Sequence, residues 1–451
     1  MAEVAAVVMS YPRYREPCGW QAQLIQRCPE PALTDEAECD VAIVGAGYTG
    51  LAAARAWAEA RPDDRVAVVD ASVVGEGSPG RNSGFMLEIA LADDADPHAV
   101  SRMAACNALI GETMDGLRRL VREHRIRCQL ARTGTYRGAA TARGERYLAR
   151  YRAFLEAAGL AFEELGAEDF EERLGTRYYR YGLYSPDCSL VQPAALIRGL
   201  ADALPASVRL YEETPALGLA REGDAWRLEC PKGSLRAPRV LLANNAFARN
   251  VAAGELSRLD SALQRHLAAR LGVMYTYAGL TAPLAPEVLD GLGTDPNWGL
   301  LPAHRLGTTL RRTVDGRLMV RSFYGYEREE DNGAVSARLR DCLARRFPRL
   351  DLDPARPFEH VWGGATGFTY NGAPVWGELG PGLWVSAGCN GGGVVKGSLF
   401  GALLARRALG ESVPDVDGLF GRASWMPPEP LRRLGFLARA AVERRQAGLE
   451  T

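Results

Sequence analysis

Three glycines and one aspartate carry the plainest chemistry in the chain. Gly45, Gly47 and Gly50 stand in G-x-G-x-x-G spacing, and Asp70 follows them further along. In that pattern the first glycine permits a tight turn and the second lets backbone approach a pyrophosphate. The third lets a helix pack close on a strand. A carboxylate about 20 residues further on can accept hydrogen bonds from ribose hydroxyls. The elements needed to hold these groups are legible on either side. Val41, Ile43 and Val44 begin the apolar run of a buried parallel strand. Residues 51–60 are alanine-rich and suit a helix, which Pro62-Asp63-Asp64 stops. Residues 65–70 form a second strand that ends on the acid. The stretch 40–70 therefore predicts a βαβ unit that binds an adenine dinucleotide, with phosphates at the helix N-terminus. An ordinary βαβ unit with a glycine turn would not require Asp70.

Two further stretches are rich in glycine. Residues 75–84, GEGSPGRNSG, hold too much glycine and small polar side chain to be core. They predict backbone that passes close to another group. Arg81 and Asn82 could aim at a phosphate or a ring, or the stretch could be a plain surface loop. Near residues 383–401 a strand delivers Gly388, Gly391, Gly392 and Gly393 into a second helix start. Bare amides at such an end favour negative charge by roughly 0.3–1 kcal/mol. A reduced flavin is negative at its N1/C2 carbonyl edge, and a helix N-terminus there would stabilise it. Lys396 could add to that field, hold an anionic substrate, or reach solvent as an ordinary first-turn lysine.

Composition bounds the answer. At 451 residues the chain can bury a sizeable core and divides most naturally into two domains. A formal charge of -1, with 54 basic residues spread along the chain, gives no case for nucleic acid or an anionic membrane as main partner. Nine dispersed cysteines without a C-x-x-C pair predict reduced thiols and a cytoplasmic protein. Five histidines show no metal-ligand spacing, so no metal is expected. The N-terminal MAEVAAVVMS lacks the basic flank of a signal peptide. No apolar run reaches the roughly 20 residues of a transmembrane segment.

The rest of the chain supplies elements. Residues 1–37 read as an irregular lead whose Tyr11, Tyr14 and Trp20 pack onto the body. Residues 98–175 read as mostly helical, interrupted by a strand that turns at Gly134. A helix from Pro193 precedes successive strands that end in the buried run 240–243. LGVMYTYAGL and GRLMVRSFYGY predict strands of an antiparallel sheet, with a hairpin turn at Asp315-Gly316. SARLRDCLARRFPRL is an amphipathic helix. The tail after Ser412 is proline-rich, then basic and helical. It reads as a packed or solvated surface helix, or as a contact for a partner or membrane surface.

The combination of DVAIVGAGYTGL, VVGEGSPGRNSG, VLLANNA and AGCNGGGVVKG resembles the FAD-dependent D-amino-acid-oxidase-like (DAO) oxidoreductases, over roughly residues 38–445. Within them the motif order is most similar to the gamma-glutamylputrescine oxidase branch. The resemblance implies a mixed α/β fold: a Rossmann-like FAD-binding domain built from separated segments, plus an antiparallel-sheet substrate domain. The FAD domain would take residues 38–95, 186–248 and 350–410. The substrate domain would take 96–185 and 249–349, leaving 411–451 as a tail helix. Carried over by motif, Gly45, Gly47, Tyr48, Thr49, Gly50, Asp70 and Ala71 would hold the ADP half. Gly77, Ser78, Arg81, Asn82, Ser83 and Gly84 would run beside pyrophosphate and flavin. The backbone of Pro215 and Ala216 would meet adenine, and Ala243 and Asn244 would flank the cofactor. Gly388, Gly391, Gly392, Gly393, Val394, Val395 and Lys396 would line the flavin.

Some positions depart from the pattern. Gly392 stands where many relatives have histidine, and Lys396 falls one position later than the lysine of sarcosine oxidases. The covalent-flavin cysteine of those enzymes has no clear match, since Cys389 precedes the glycine run. FAD is therefore expected to be non-covalent. The implied reaction is hydride transfer to flavin from a C–H beside the nitrogen of a small amine or amino acid, giving an imine that hydrolyses. Oxygen or a quinone or other electron carrier would be the acceptor. Substrate-side candidates are Lys396, Tyr275, Tyr324 and Arg312, with Tyr277, Arg321 and Tyr326 on the same strands. Each could equally serve sheet packing or surface charge, and Trp362 could wall the pocket or fill core. Two other readings stay open: a monooxygenase or NAD(P)-linked enzyme, and a non-catalytic flavoprotein subunit. The first lacks a second full dinucleotide unit in the chain.

Overall fold

A computed structural model of the protein describes residues 10–87 and 100–451. The leader run MAEVAAVVMS up to residue 9, and the start of the helical region at 98–99, lie outside the described residues.

The predicted βαβ unit is present as strand Val41–Val44, helix Tyr48–Ala60 and strand Val66–Val69. Every residue of both strands is buried, as a strand covered on both faces requires. These strands sit inside a six-stranded sheet ordered Val375–Gly380, Leu383–Ala387, Arg239–Leu242, Val41–Val44, Val66–Val69, Val208–Tyr211. Its pairs are parallel except for the edge hairpin Val375–Gly380 with Leu383–Ala387. Alternation along each strand divides the side chains between two cores. Val41, Ile43, Val66, Val68 and Leu241 pack against the helices Tyr48–Ala60, Pro193–Asp202 and Val395–Ala408. Ala42, Val44, Ala67, Val69, Val240 and Leu242 face Leu219, Leu228 and Leu235 of a four-stranded sheet.

The second large sheet has eight strands. Their order is His360–Phe368, Gly272–Leu280, Leu318–Tyr326, Thr309–Arg312, Trp298–Pro302, Thr135–Ala139, Tyr181–Ser185, Glu163–Gly166. It is antiparallel apart from the parallel pair Trp298–Pro302 with Thr135–Ala139. The Asp315-Gly316 hairpin forms where the dipeptide predicts it, with Gly316 at φ +74°. Helix Asn332–Arg346 covers one face through Val335, Leu339, Cys342 and Leu343, against Leu310, Leu318 and Val320. Four strands of this sheet escape the sequence pattern: Glu163–Gly166, inside a region that reads as helical, Tyr181–Ser185, Trp298–Pro302 and His360–Phe368. The tail forms helix Leu431–Ala447. It is a packed element, because Glu450 just beyond it accepts from Ala140 N and Thr141 N at 3.0 Å each. No helix among the described residues is long and apolar enough to cross a membrane.

Helices Tyr48–Ala60 and Val395–Ala408 cross at very close range. A Cβ on Gly401 would lie 2.0 Å from Thr49 O, and one on Gly397 would lie 3.1 Å from Thr49 Oγ1. Gly401→Ala must therefore push the helices apart. The expected cost is about 1–3 kcal/mol of stability, measured by chemical denaturation, with a lowered cofactor content in the purified protein. A variant as stable as the parent would show that the crossing is looser than described.

Candidate functional site

The turn Gly45–Gly50 folds as its spacing demands. Gly45 sits at φ +102°, a conformation closed to most side chains. A Cβ on Gly50 would lie 1.8 Å from Gly45 O, so only glycine lets the helix start against the strand end. Asp70 Oδ2 accepts from Ala46 N at 2.7 Å, and its Oδ1 accepts from Ser72 N at 3.0 Å and Ser72 Oγ at 3.2 Å. Burial pushes the Asp70 carboxyl up, opposed by those donors. The aspartate thus holds the glycine turn and the following loop together. Behind it the fully buried Glu212 accepts from Val74 N at 2.6 Å and Glu30 N at 2.5 Å, and pairs with Arg27. The sequence reading did not single out Glu212.

The GEGSPGRNSG loop is occupied by a structural task. Strand His360–Phe368 forms one edge of the eight-stranded sheet, and its outward backbone groups need partners. The carbonyls of Gly363, Ala365 and Gly367 accept from Arg81 Nη1 at 2.9 Å, Ser78 Oγ at 2.6 Å and Asn390 N at 3.0 Å. The amides of Gly363 and Ala365 donate to Glu329 Oε1 at 3.1 Å and to the Tyr14 hydroxyl at 3.3 Å. Tyr14 comes from the N-terminal lead, and the Arg81 guanidinium lies 3.7 Å over its ring. Trp20 and Trp362 donate their indole N–H groups to Asn82 O and Arg81 O at 2.9 and 3.1 Å. The aromatic lead packs onto the body as its composition predicts.

The third glycine stretch is set by an asparagine that sequence reasoning missed. Asn245 adopts φ +55° and its Oδ1 accepts from Gly388 N at 2.8 Å and Cys389 N at 3.3 Å. Its Nδ2 lies 3.1 Å from Cys389 Sγ. The usable signal was its type, because asparagine tolerates the left-handed region better than most residues.

These loops and the eight-stranded sheet enclose one cavity of about 1460 Å³. Of the sequence-predicted cofactor residues, Gly45, Gly47, Tyr48, Thr49, Asp70, Ala71, Gly77, Ser78, Arg81, Asn82 and Ser83 line it. So do Ala216, Ala243, Asn244 and the run Gly391 to Lys396. Gly50, Gly84, Pro215 and Gly388 do not; they shape the backbone behind it. On the sheet side Tyr324, Arg321, Tyr277 and Trp362 line the cavity, whereas Tyr275, Arg312 and Tyr326 do not. Arg312 turns away to the carbonyls of Leu292, Gly293 and Asp295, at 3.2–3.3 Å. Tyr275 is buried in the core with its ring edge-on to Tyr14. Tyr326 bonds Glu429 and stacks near Phe436. An extra residue, Phe323 at φ +61°, is inserted opposite Thr276/Tyr277. This bulge lets Arg321 and Tyr324, three apart in sequence, face the same cavity.

The tail helix closes one side through Arg432, Gly435, Phe436, Arg439, Ala440 and Glu443. Glu443 pins it, 3.2 Å from His304 Nε2 and 3.4 Å from Arg439 and in contact with Arg305. Burial pushes this carboxyl up, but Arg305, His304 and Arg439 outweigh burial and hold it below the usual range. Burial pushes the Tyr277 phenol up to about 12 and the Cys18 thiol up to about 11. Neither is a base or nucleophile at neutral pH. Three polar atoms of lining residues, Gln21 Nε2, Asn244 Oδ1 and Thr276 Oγ1, are buried without a hydrogen-bond partner. No cluster that could hold a metal occurs among the described residues.

Residues 40–407 match the family model described as FAD dependent oxidoreductase (DAO). "Probable oxidoreductase OrdL" of Rhizobium meliloti (strain 1021) is 29% identical over 407 residues, covering 87% of this chain and 88% of that protein. The gamma-glutamylputrescine oxidoreductase of Escherichia coli (strain K12) is 25% identical over 390 residues, with 85% and 87% covered. Among solved structures, glycine oxidase from Geobacillus kaustophilus superposes with a TM-score of 0.69 at 21% identity, covering 84% of this chain and 96% of that one. L-proline dehydrogenase from P. horikoshii gives 0.66 at 16%, with 86% and 96% covered.

Asn245→Ala removes an acceptor shared by two amides and leaves alanine in the left-handed region. A loss of about 2–4 kcal/mol is expected from an unsatisfied buried donor plus backbone strain. Asn245→Asp, which keeps the acceptor, should lose less. Urea denaturation of both variants decides; equal losses would remove the acceptor role.

Proposed function

The chain belongs to the DAO family of FAD-dependent oxidoreductases, and from that premise we propose that it holds FAD without a covalent bond and oxidises the C–N bond of a small amine or amino acid. The observation that carries this reading is the continuity of the cavity. One space runs from Asp70, past Ser78 and the Gly391 to Lys396 turn, to the half-buried Arg321 and Tyr324 of the sheet.

The residues present fit the cofactor. The Gly45–Gly50 turn is a cradle that a Cβ would fill. Asn244 Oδ1 is a buried acceptor that awaits a donor. Asp70 would accept from ribose hydroxyls. Amides at the start of helix Tyr48–Ala60 would face the pyrophosphate, and the backbone at Ala216 would meet adenine. Residues Gly391 to Val395 would lie against the ring, where the N-terminus of helix Val395–Ala408 favours negative charge. A non-covalent attachment is supported by the lining itself. It holds no histidine among the described residues, and its thiols are Cys18 and Cys389. Cys18 donates to Gly80 O at 3.3 Å.

When bound, FAD supplies the two-electron acceptor for the hydrogen on the carbon beside the amine nitrogen. The chain's own residues orient the amine and keep water out. Tyr277 stays protonated at neutral pH and its hydroxyl already accepts from Glu330 N at 2.7 Å. It acts as a fixed polar wall, and the amine must arrive unprotonated. Thr276 Oγ1, a buried group of the cavity lining without a partner, would be available to the cofactor or the substrate. Phe436 and the tail helix cover the open side. The electron acceptor is oxygen or a quinone-type carrier, with Lys396 as the cation that assists oxygen.

Anaerobic mixing of the yellow protein with a panel of amines and amino acids should bleach the flavin band, and acid precipitation should release all colour into the supernatant. No bleaching by any amine, or rapid bleaching by NADPH alone, would sink the amine reading; colour retained in the pellet would sink the non-covalent one. Lys396→Met should slow reoxidation by oxygen at least fivefold more than it slows reduction, read by stopped-flow. An unchanged reoxidation rate would remove Lys396 from that role.

A further inference from the structure

Large apolar side chains gather in the open at one place on the molecule. Among the described residues ten stand exposed, and six of the ten lie between residues 425 and 449: Trp425, Leu431, Leu434, Leu437, Val442 and Leu449. Four of these are on helix Leu431–Ala447. Its inner face is set by the buried Arg432, Ala440 and Ala447, and by Phe436 and Glu443 of the cavity lining. Helical spacing puts Leu431, Leu434, Ala438, Ala441 and Val442 together on the opposite face, and all five are exposed. Leu434 is 60% exposed and Val442 55%. Packing onto the body requires one apolar face, and this helix has two.

The charge of this helix is nearly all of one sign, with five arginines and one glutamate. Arg432 is spent on the carbonyls of Leu271 and Ala268, at 3.1 and 2.7 Å. Arg439 pairs with the glutamate, Glu443, at 3.4 Å. Arg433, Arg444 and Arg445 are exposed and form no ion pair among the described residues. Helical spacing sets Arg433 and Arg444 along one flank of the outer stripe and Arg445 at its C-terminal end. The overall charge of -1 conceals this local excess. Arginine stems can lie along apolar surface while their heads reach polar surroundings. An apolar stripe edged by arginines, with a tryptophan nearby, is the pattern of a helix that lies in the plane of a bilayer surface.

We propose that the outer face of helix Leu431–Ala447, together with Trp425, docks this protein on an anionic lipid surface, where the helix lies among the headgroups without spanning the bilayer. This inference is independent of the amine reading. A second copy of the chain is a poorer occupant on two counts. From Leu431 to Val442 the stripe runs about 16 Å along a helix about 10 Å across. That area falls well below the roughly 800 Å² per partner of a stable dimer. A two-fold pairing along the stripe would also bring basic flanks and ends together, and like charges oppose it. A lipid surface needs no matching shape, and its phosphates supply the counter-charge that Arg433, Arg444 and Arg445 lack. Because the inner face of the same helix walls the cavity, docking sets that wall against the bilayer.

The test spins holoenzyme with sucrose-loaded vesicles, of phosphatidylcholine alone and of phosphatidylcholine mixed with phosphatidylglycerol. At low salt the protein should partition into the mixed vesicles at least about 30-fold more strongly than into the neutral ones. High salt should remove most of that preference. Replacing all three free arginines, Arg433→Gln with Arg444→Gln and Arg445→Gln, should weaken binding to mixed vesicles about 30- to 100-fold. Leu434→Glu with Val442→Glu should abolish it. A melting temperature equal to the parent's shows that a variant has folded, and if one fails to fold the other decides. No binding of the parent to mixed vesicles, equal binding to neutral ones, or binding that survives both variants overturns the proposal. So does a dimer, seen by sedimentation equilibrium, that Leu434→Glu dissociates, since the stripe would then belong to a second copy.

Discussion

The constraint on which the cavity depends is the contact between two helices drawn from opposite ends of the chain. Helix Tyr48–Ala60 and helix Val395–Ala408 meet through Thr49, Gly397 and Gly401. The meeting lies within the first two turns of both. Two helix N-termini therefore open into one volume, each with unpaired amides and a partial positive charge. Side by side these ends repel one another unless an anion shares the space. The fold thus creates a demand for negative charge at the place where a dinucleotide would bring its phosphates. Small residues at the crossing serve the cofactor indirectly, by setting how far apart those ends stand.

Charge inside the molecule follows a consistent rule with one departure. Glu212 is met by two backbone amides and Arg27, and Arg81 is met by carbonyls and the face of Tyr14. Arg311, almost fully buried, donates to Ser83 O and Val191 O and lies 5.0 Å over Trp20. Burial lowers its pKa to about 10, still far enough above neutrality to keep it charged. Each of these ions is satisfied by the protein and braces a loop. Arg137, also buried, lies 4.6 Å over the Tyr151 ring and has no ion pair among the described residues.

Local sequence carried the dinucleotide unit almost completely. Its glycine spacing, its apolar strands and Asp70 are determined by neighbours within one short stretch, so pattern and physics coincide there. The Asp315-Gly316 turn was legible for the same reason. The substrate side was not. Alternation groups Tyr275 with Tyr277 and Tyr324 with Tyr326, yet only Tyr277 and Tyr324 line the cavity, and which face meets it depends on strand order. That order is set by pairings between distant segments, such as Leu301 with Arg137. Hence Arg312 pointed into a cluster of carbonyls and Tyr275 into core, while Arg137 drew no notice in the short run TYRGA. The Phe323 bulge broke the simple alternation further. Asn245 and Glu212 were missed because their partners, Gly388 and Val74, are distant backbone groups that no motif spells out.

The edge strand His360–Phe368 gives this architecture latitude to drift. Loop 75–84 and the 388–393 glycine turn grip it through the carbonyls of Gly363, Ala365 and Gly367, and carbonyls are common to every amino acid. Substitutions along the strand can reshape the wall that faces the substrate while the acceptors stay where they are. A lineage can therefore exchange one substrate for another by point changes in the sheet without renegotiating its hold on the cofactor.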